Sequence, residues 1–392
     1  MNRLRLFFGA SLTMLVIASL SSACDWTYPI WIPRSATADP VYQFTSGDKV
    51  GYIDRTGKIL IPPNRSLSEG ITDGEFHDGL LEIGVDDGLY VNATGKNVIH
   101  KRFYRGWSFS EGLAVAMEKE AGKWGYINTR GEFEIIPRFD SSPTDYVWPF
   151  QGGFAVIEVA GKFGYIDHSG EFVIRPRFLD GDSFHDGMAR IIVEGPCSYS
   201  RITEESPCLD SGVLPRGTNA QESLPSCKYS YIDESGKIIN DERYDYALPF
   251  TEGLAPVRIG KLWGYIDKQG KMIIAPRFDA ASSFSDGLGL VSADGLFGYV
   301  DRTGLFVIRP QFNHAESFAD GRAVVGDLKS GEWYIDSSGK QAIPGKFAVA
   351  SPFFKGLAHV KMLDGSSGNK STHAGTFAYI DVTGRVVFKY KS

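Results

Sequence analysis

The stretch Lys162–Gly170, KFGYIDHSG, returns as LWGYIDKQG at Leu262–Gly270, and its central phrase Tyr-Ile-Asp-x-x-Gly recurs along most of the chain. The tyrosines of the recurring phrase are Tyr52, Tyr90, Tyr126, Tyr165, Tyr231, Tyr265, Tyr299, Tyr334 and Tyr379. Where the chain is most regular, from Tyr231 to Tyr334, they stand 34 or 35 residues apart. Self-similarity at such a period is the signature of a repeat architecture, in which each unit is one supersecondary element.

Two more phrases keep the same period. An apolar stretch closing on proline and an aromatic follows the tyrosine, as in IIPRFD at Ile135–Asp140, IRPRF at Ile174–Phe178, IAPRFD at Ile274–Asp279 and IRPQF at Ile308–Phe312. Then comes an aromatic, two residues, glycine and an apolar pair, as in FSEGLA at Phe109–Ala114, FHDGMA at Phe184–Ala189 and FTEGLA at Phe250–Ala255. In Tyr-Ile-Asp-x-x-Gly the aspartate suits the first position of a type I turn and glycine the fourth, where positive φ joins two antiparallel strands. The residues on either side therefore predict the arms of a hairpin. Pro137, Pro176, Pro276 and Pro310 fall where a strand can lose an N–H. A lone short hairpin cannot bury its aromatic face, so the units must stack, and the nine tyrosines become a repeated core layer.

The reading is all-β, with tandem three-stranded or hairpin repeats forming an open β-solenoid or superhelix. The alternative is a set of β-propeller-like modules, closed blades that normally take four strands and more than forty residues each. The phrases GKWGYI at Gly122–Ile127, KFGYIDHSG and LWGYIDKQG, with the spaced IxPRFD and FxEGLA phrases, resemble the bacterial WG-repeat or KWG-repeat family over roughly Gly51–Gly384. Leu89, Glu332-Trp333 and Phe377-Ala378 depart from the aromatic-glycine pair of that pattern. The resemblance implies an extracytoplasmic or surface β-repeat protein that binds or scaffolds, without an established activity.

The N-terminus has the order of an export signal: Arg3 and Arg5, an apolar run from Leu6 to Leu20, then Ser21-Ser22-Ala23-Cys24. Cys24 resembles the lipidated first residue of a bacterial lipoprotein; ordinary signal-peptidase cleavage would instead leave it as a thiol or disulfide partner. The expected location is the cell envelope, lipid-anchored and periplasm-facing, or else the periplasm or exterior. Domains are expected as a signal peptide over 1–23, a linker and first strand over 24–46, repeats 1–4 over 47–193, a cysteine-containing insertion over 194–228 and repeats 5–9 over 229–392. Cys197, Cys208 and Cys227 lie in that polar insertion and are candidates for a disulfide. Their spacing does not match a zinc site, and no metal or cofactor is expected.

A net charge of −6 without a basic stripe argues against nucleic acid as a partner. Contact with a membrane is expected only through the possible N-terminal lipid. There is no HExxH, CxxC or phosphate-binding glycine loop. Glu111, Asp186, Glu252, Asp286 and Asp320 could imitate a glycosidase pair, but their fixed place beside glycine is explained by turn chemistry, and an enzyme is not expected. An array of like units suits an extended partner, an envelope protein or a glycan polymer. Trp107 and Trp148 are the candidate residues for stacking on sugar rings.

Overall fold

The computed structural model describes residues 40–66, 76–83, 89–118, 122–140, 147–195, 227–327, 330–363 and 375–391. The chain divides into Met1–Ile30 and Trp31–Ser392, and everything below concerns the second unit. Each Tyr-Ile-Asp-x-x-Gly phrase makes a hairpin turn. At Asp267 the Gly270 amide donates to the Asp267 carbonyl at 2.8 Å, and the carboxylate accepts from the Gln269 and Lys271 amides at 3.0 and 2.9 Å. At Asp301 the first cause of a lowered pKa is the Thr303 hydroxyl, which donates to the carboxylate at 2.6 Å.

The unit around Tyr299 is representative. Ala280–Ala281 pairs with Gly289–Ala293, which pairs with Leu296–Val300, which pairs with Phe306–Phe312, all antiparallel and in chain order. The units around Tyr126, Tyr265 and Tyr299 thus have four strands rather than the expected three, while the described strands of several other units number two or three. The extra first strand is only two residues long, which is how four strands fit a period of 34 residues and why no periodic pattern announces it.

The glycine before the tyrosine is fixed by a close approach. A Cβ on Gly264 would lie 2.4 Å from the Ile274 carbonyl oxygen and 2.8 Å from the Pro276 nitrogen; at Gly164 the corresponding distances are 2.6 and 2.6 Å. The register shifts on both sides of the tyrosine, and the first shift spans that glycine, opposite the point where the proline-bearing fourth strand carries the extra residues of a bulge. Glycine and proline therefore belong to one device that bends the outer hairpin. Where Leu89, Ser230 and Trp333 replace the glycine, the fourth strand shrinks to an isolated bridge or a single paired residue.

Successive units are joined by the same few contacts. The buried tyrosine of one unit meets the aromatic of the next Phe-x-x-Gly turn edge-on, as in Tyr265–Phe284, Tyr90–Phe109 and Tyr165–Phe184, each with centroids 5.0 Å apart. Its hydroxyl donates to a carbonyl just before that turn, for example Tyr265 to Ser282 at 2.9 Å. The arginine of the proline phrase reaches the next turn glycine, as Arg177 does to the Gly236 carbonyl at 2.6 Å.

The expectation of an open solenoid is corrected by how the ends meet. The last strand, Val386–Lys391, lies against the first, Val41–Ser46. Tyr379 donates to the Gln43 carbonyl at 2.5 Å, Tyr42 donates to the Phe354 and Lys355 carbonyls at 3.1 and 3.0 Å, and Phe44 packs on Phe388 at 4.9 Å. The ninth unit therefore touches the first, and the small sheets close in a propeller-like ring. The contacts that join successive units recur along the array, and Tyr42 and Tyr379 supply their counterpart where its two ends meet.

Candidate functional site

Six of the described Phe-x-x-Gly turns hold an acidic residue in the left-handed region: Asp78, Glu111, Asp186, Glu252, Asp286 and Asp320 all have φ between 50 and 55°, while Gly152 and Lys355 take the place in the other two. That conformation costs most residues energy, and the repeat recovers it through a bond to the next unit. Asp78 accepts from the Gly112 amide at 2.7 Å, Glu111 from Gly152 at 2.7 Å, Asp186 from Gly253 at 2.6 Å, Asp286 from Gly321 at 2.7 Å and Asp320 from Gly356 at 2.7 Å. Glu252 accepts from Gly287 at 3.1 Å. The repeated acids are pins between neighbouring units. Lys268 adds an ion pair to Asp186 at 2.8 Å, and His168 lies 3.5 Å from Glu111 while stacking on Phe150 at 4.2 Å.

A second recurring position behaves differently. Trp107, Trp148, Asp182, Leu248, Ser282, Glu316 and Ser351 each precede the turn aromatic by two residues. Each backbone N–H donates into its own second strand, with distances from 2.9 to 3.1 Å. Each carbonyl accepts the tyrosine hydroxyl of the preceding unit. The main chain is committed identically in all seven, while the side chain runs from indole to carboxylate. Trp107 and Trp148 are half-buried. Trp107 packs edge-on against Trp124 at 6.3 Å, and Trp148 packs against the cluster around Phe163 and Phe184. In the fifth unit the equivalent Asp182 pairs with Arg190 at 2.6 Å, and that guanidinium lies over the rings of Tyr229 and Tyr246.

Connections sort by end. In an antiparallel four-stranded sheet, the first-to-second and third-to-fourth turns share one end, and the other two connections share the opposite end. The Phe-x-x-Gly and Asp-x-x-Gly turns occupy the first of these and barely vary. The two insertions leave and rejoin the described strands at the second. Met188–Glu194 and Lys228–Asp233 are the second and third strands of the fifth unit, so the cysteine insertion joins them. Leu357–Met362 and Thr376–Asp381 bear the same relation in the ninth unit, around the GSSG-containing insertion.

Tyr52, Tyr90, Tyr126, Tyr165, Tyr231, Tyr265, Tyr299, Tyr334 and Tyr379 are all buried. Burial raises the phenol pKa well above its ordinary value at Tyr90, Tyr126 and Tyr231. Cys227 is buried at the edge of the fifth unit, whereas Cys24, Cys197 and Cys208 lie outside the described residues. Among the described residues no group of three or more His, Cys, Asp or Glu side chains is placed to hold a metal, and no helix is long and apolar enough to cross a membrane. Asp182, Arg190 and Glu316 carry no phrase-level signal; superposing the units two residues before the turn aromatic is what exposes them.

The sequence model of the WG containing repeat matches eight segments, 51–64, 90–120, 124–163, 163–195, 229–263, 263–297, 297–326 and 334–365. These cover more than half of the chain, which therefore belongs to the WG-repeat family. No curated protein matches it. Among solved structures the chain is similar to a eukaryotic initiation factor, with a TM-score of 0.60, 10% identity, and 90% of this chain and 96% of that one covered. At that identity the likeness shows the fold alone. BamB from Moraxella catarrhalis matches with a TM-score of 0.35 and 10% identity over 82% and 93% of the two chains. The C-terminal WD40 domain of Sif2 gives 0.35 and 11% over 72% and 84%.

Proposed function

We propose that this protein is a non-enzymatic scaffold of the bacterial cell envelope, exported and held by a lipid on Cys24, that binds a protein or glycan partner through the end of the ring carrying the long connections. The observation that carries this reading is the contrast between the two ends. One end repeats its turns and locks each to its neighbour; the other accommodates insertions in units 5 and 9 without disturbing the frame. Variation confined to one face of a rigid frame is the arrangement of proteins that recognise with loops. A catalytic use of the repeated acids is disfavoured, because each already accepts an amide of the next unit.

The inter-unit pins also favour a second reading, a purely structural envelope lipoprotein with no discrete partner. The two readings separate in a crosslinked pull-down from envelope material, using the mature chain and a variant with residues 196–226 replaced by a short Gly-Ser linker. A species retained by the intact chain and lost from the variant supports binding; equal recovery of nothing by both, with both folded, supports the structural reading. Trp107→Ala and Trp148→Ala test the glycan form of the proposal through retention on cell-wall material. Labelling with a tagged fatty acid, present in the natural chain and absent in Cys24→Ser, tests the anchor.

A further inference from the structure

Unit 9 departs from the repeat where the ring closes. Opposite the repeat tyrosine, the second strands of units 3, 4, 6, 7 and 8 carry Val115, Val156, Pro256, Leu290 and Val324, whereas unit 9 has His359 facing Tyr379. The imidazole lies parallel to the rings of Phe377 at 5.4 Å and Tyr390 at 6.0 Å, and tilted to Tyr379 at 5.0 Å. This is the face of the last sheet that packs on the first strand of the chain. Tyr379 meets Tyr42 at 5.4 Å, and Phe388 and Tyr390 meet Phe44 at 4.9 and 5.9 Å. The His359 Nε2 is 2.9 Å from the Tyr390 hydroxyl oxygen. Thr45, on the first strand, donates to that same oxygen from its hydroxyl and its amide. The phenol proton is thereby left for Nε2, which accepts it only while that nitrogen carries no proton of its own. A chain of hydrogen bonds from Thr45 through Tyr390 to His359 therefore crosses from unit 1 into unit 9.

We propose that His359 is a proton-operated latch on the closing seam, which holds unit 9 against unit 1 while the imidazole is neutral and loosens them when it is charged. A proton on Nε2 would be aimed at an oxygen that already receives Thr45, and the charge would be enclosed by aromatic rings. The rings of unit 9 are held by strand pairing, so separation from the first strand is the motion that hydrates the imidazolium. Burial lowers the His359 pKa to about 4 and raises that of Tyr390 to about 12. On its own strand, Lys361 lies two residues away with its ammonium over the Phe377 ring at 5.6 Å. On the third strand the titratable groups of this face are Tyr379 and Asp381, whose carboxylate is tied into its own turn by Thr383 and Arg385. Lys389 and Lys391, paired with Ala378 and Thr376, alternate to the opposite face of the fourth strand. Phe347–Ala350 carries no titratable group, and Val41–Ser46 carries none besides Tyr42. Because the folded imidazole is held below its ordinary 6.5, the seam is fully stable above about pH 7, weakens as pH falls through 6.5 and loses no more below about 4. The ring therefore loosens at its seam in mild acid.

The test is amide hydrogen exchange at Thr45 between pH 7.5 and 5, corrected for intrinsic rate and referred to the Ser282 amide, which donates to Leu290 inside unit 7. In the natural chain the Thr45 protection should fall about thirtyfold across that range while the Ser282 protection holds. His359→Gln, which keeps an acceptor for Tyr390 and cannot be charged, should flatten the profile, and an NMR titration of the His359 ring should show a midpoint well below 6.5. A flat profile in the natural chain, a parallel fall at Thr45 and Ser282, or an unchanged slope in His359→Gln would overturn the proposal. Should His359→Gln fold poorly, His359→Phe keeps a ring to stack on Phe377 and must also abolish the slope.

Discussion

The junction between units 6 and 7 and the junction between units 9 and 1 perform the same task with different residues. At the first, Tyr265 meets Phe284 and donates to Ser282, while the Arg277 guanidinium reaches the Gly304 carbonyl. At the second there is no described Phe-x-x-Gly turn ahead of the first strand. Tyr379 meets Tyr42 at 5.4 Å and donates directly to Gln43 within that strand. Tyr42 supplies both the ring and, through its hydroxyl, the bond to the turn of unit 9. A Cβ on Gly57 would meet the Val387 carbonyl oxygen at 2.6 Å, where one on Gly304 would meet the Ile274 side chain at 2.9 Å. A closing seam thus needs the same shape as an internal one but not the same sequence, since complementarity and not the phrase is what joins neighbours.

The contrast can be broken most severely at the tyrosines. Tyr265→Ala should cost about 3 to 5 kcal/mol through lost aromatic packing, lowering the urea midpoint of the whole ring. Tyr379→Ala should instead raise exchange first at Gln43 and its neighbours, because the seam can open without unthreading a unit. If both variants lose protection everywhere in parallel, the seam is no weaker than an internal junction. Next in size is Gly264→Ala, whose methyl would press on the Ile274 carbonyl; it should cost about 1 to 3 kcal/mol. Ala378→Gly, at the same position in unit 9 where the residues pair without the glycine bulge, should change the chemical-denaturation midpoint far less.

Smaller still is Tyr42→Phe, which keeps the ring and removes the hydroxyl. It should cost about 1 kcal/mol and leave the junction of units 6 and 7 untouched by exchange. The smallest effect is that of pH on the turns. Asp301, Asp336 and Asp381 have folded pKa values below the ordinary 3.8. At Asp381 burial opposes the shift, and hydrogen bonds from Thr383 and Arg385 outweigh it to give about 2. Their stabilisation is therefore complete above about pH 4 and declines as pH falls toward 2. Buried phenols act at the opposite limit, so stability should fall as pH rises above 10. A denaturation midpoint followed from pH 2 to 11 checks both limbs, and a level acid limb would remove the turn carboxylates from the account.

The hairpin was legible because its parts are local: Asp267 and Gly270 define their own turn, and Tyr265 and Ile274 alternate correctly on either side of it. The pins were half legible. The acids beside glycine read as turn residues, which they are, but their bonds reach a glycine of the next unit. The first strand was hidden because Ala280–Ala281 is too short to show any period. Among the sites, Trp107 and Trp148 were visible by residue type, whereas Glu316 stands out only when the units are laid over one another.

By itself the sequence determined the β class, the period, the turn chemistry and the tyrosine layer, since these depend on contacts within one unit of about 35 residues. Tertiary structure decided that the units close into a ring, that the two insertions share one end, and that His359 meets Tyr390 at the seam. Each of these depends on the rotation between units or on a pairing across strands, quantities set by the sum of many packing contacts and written in no single phrase.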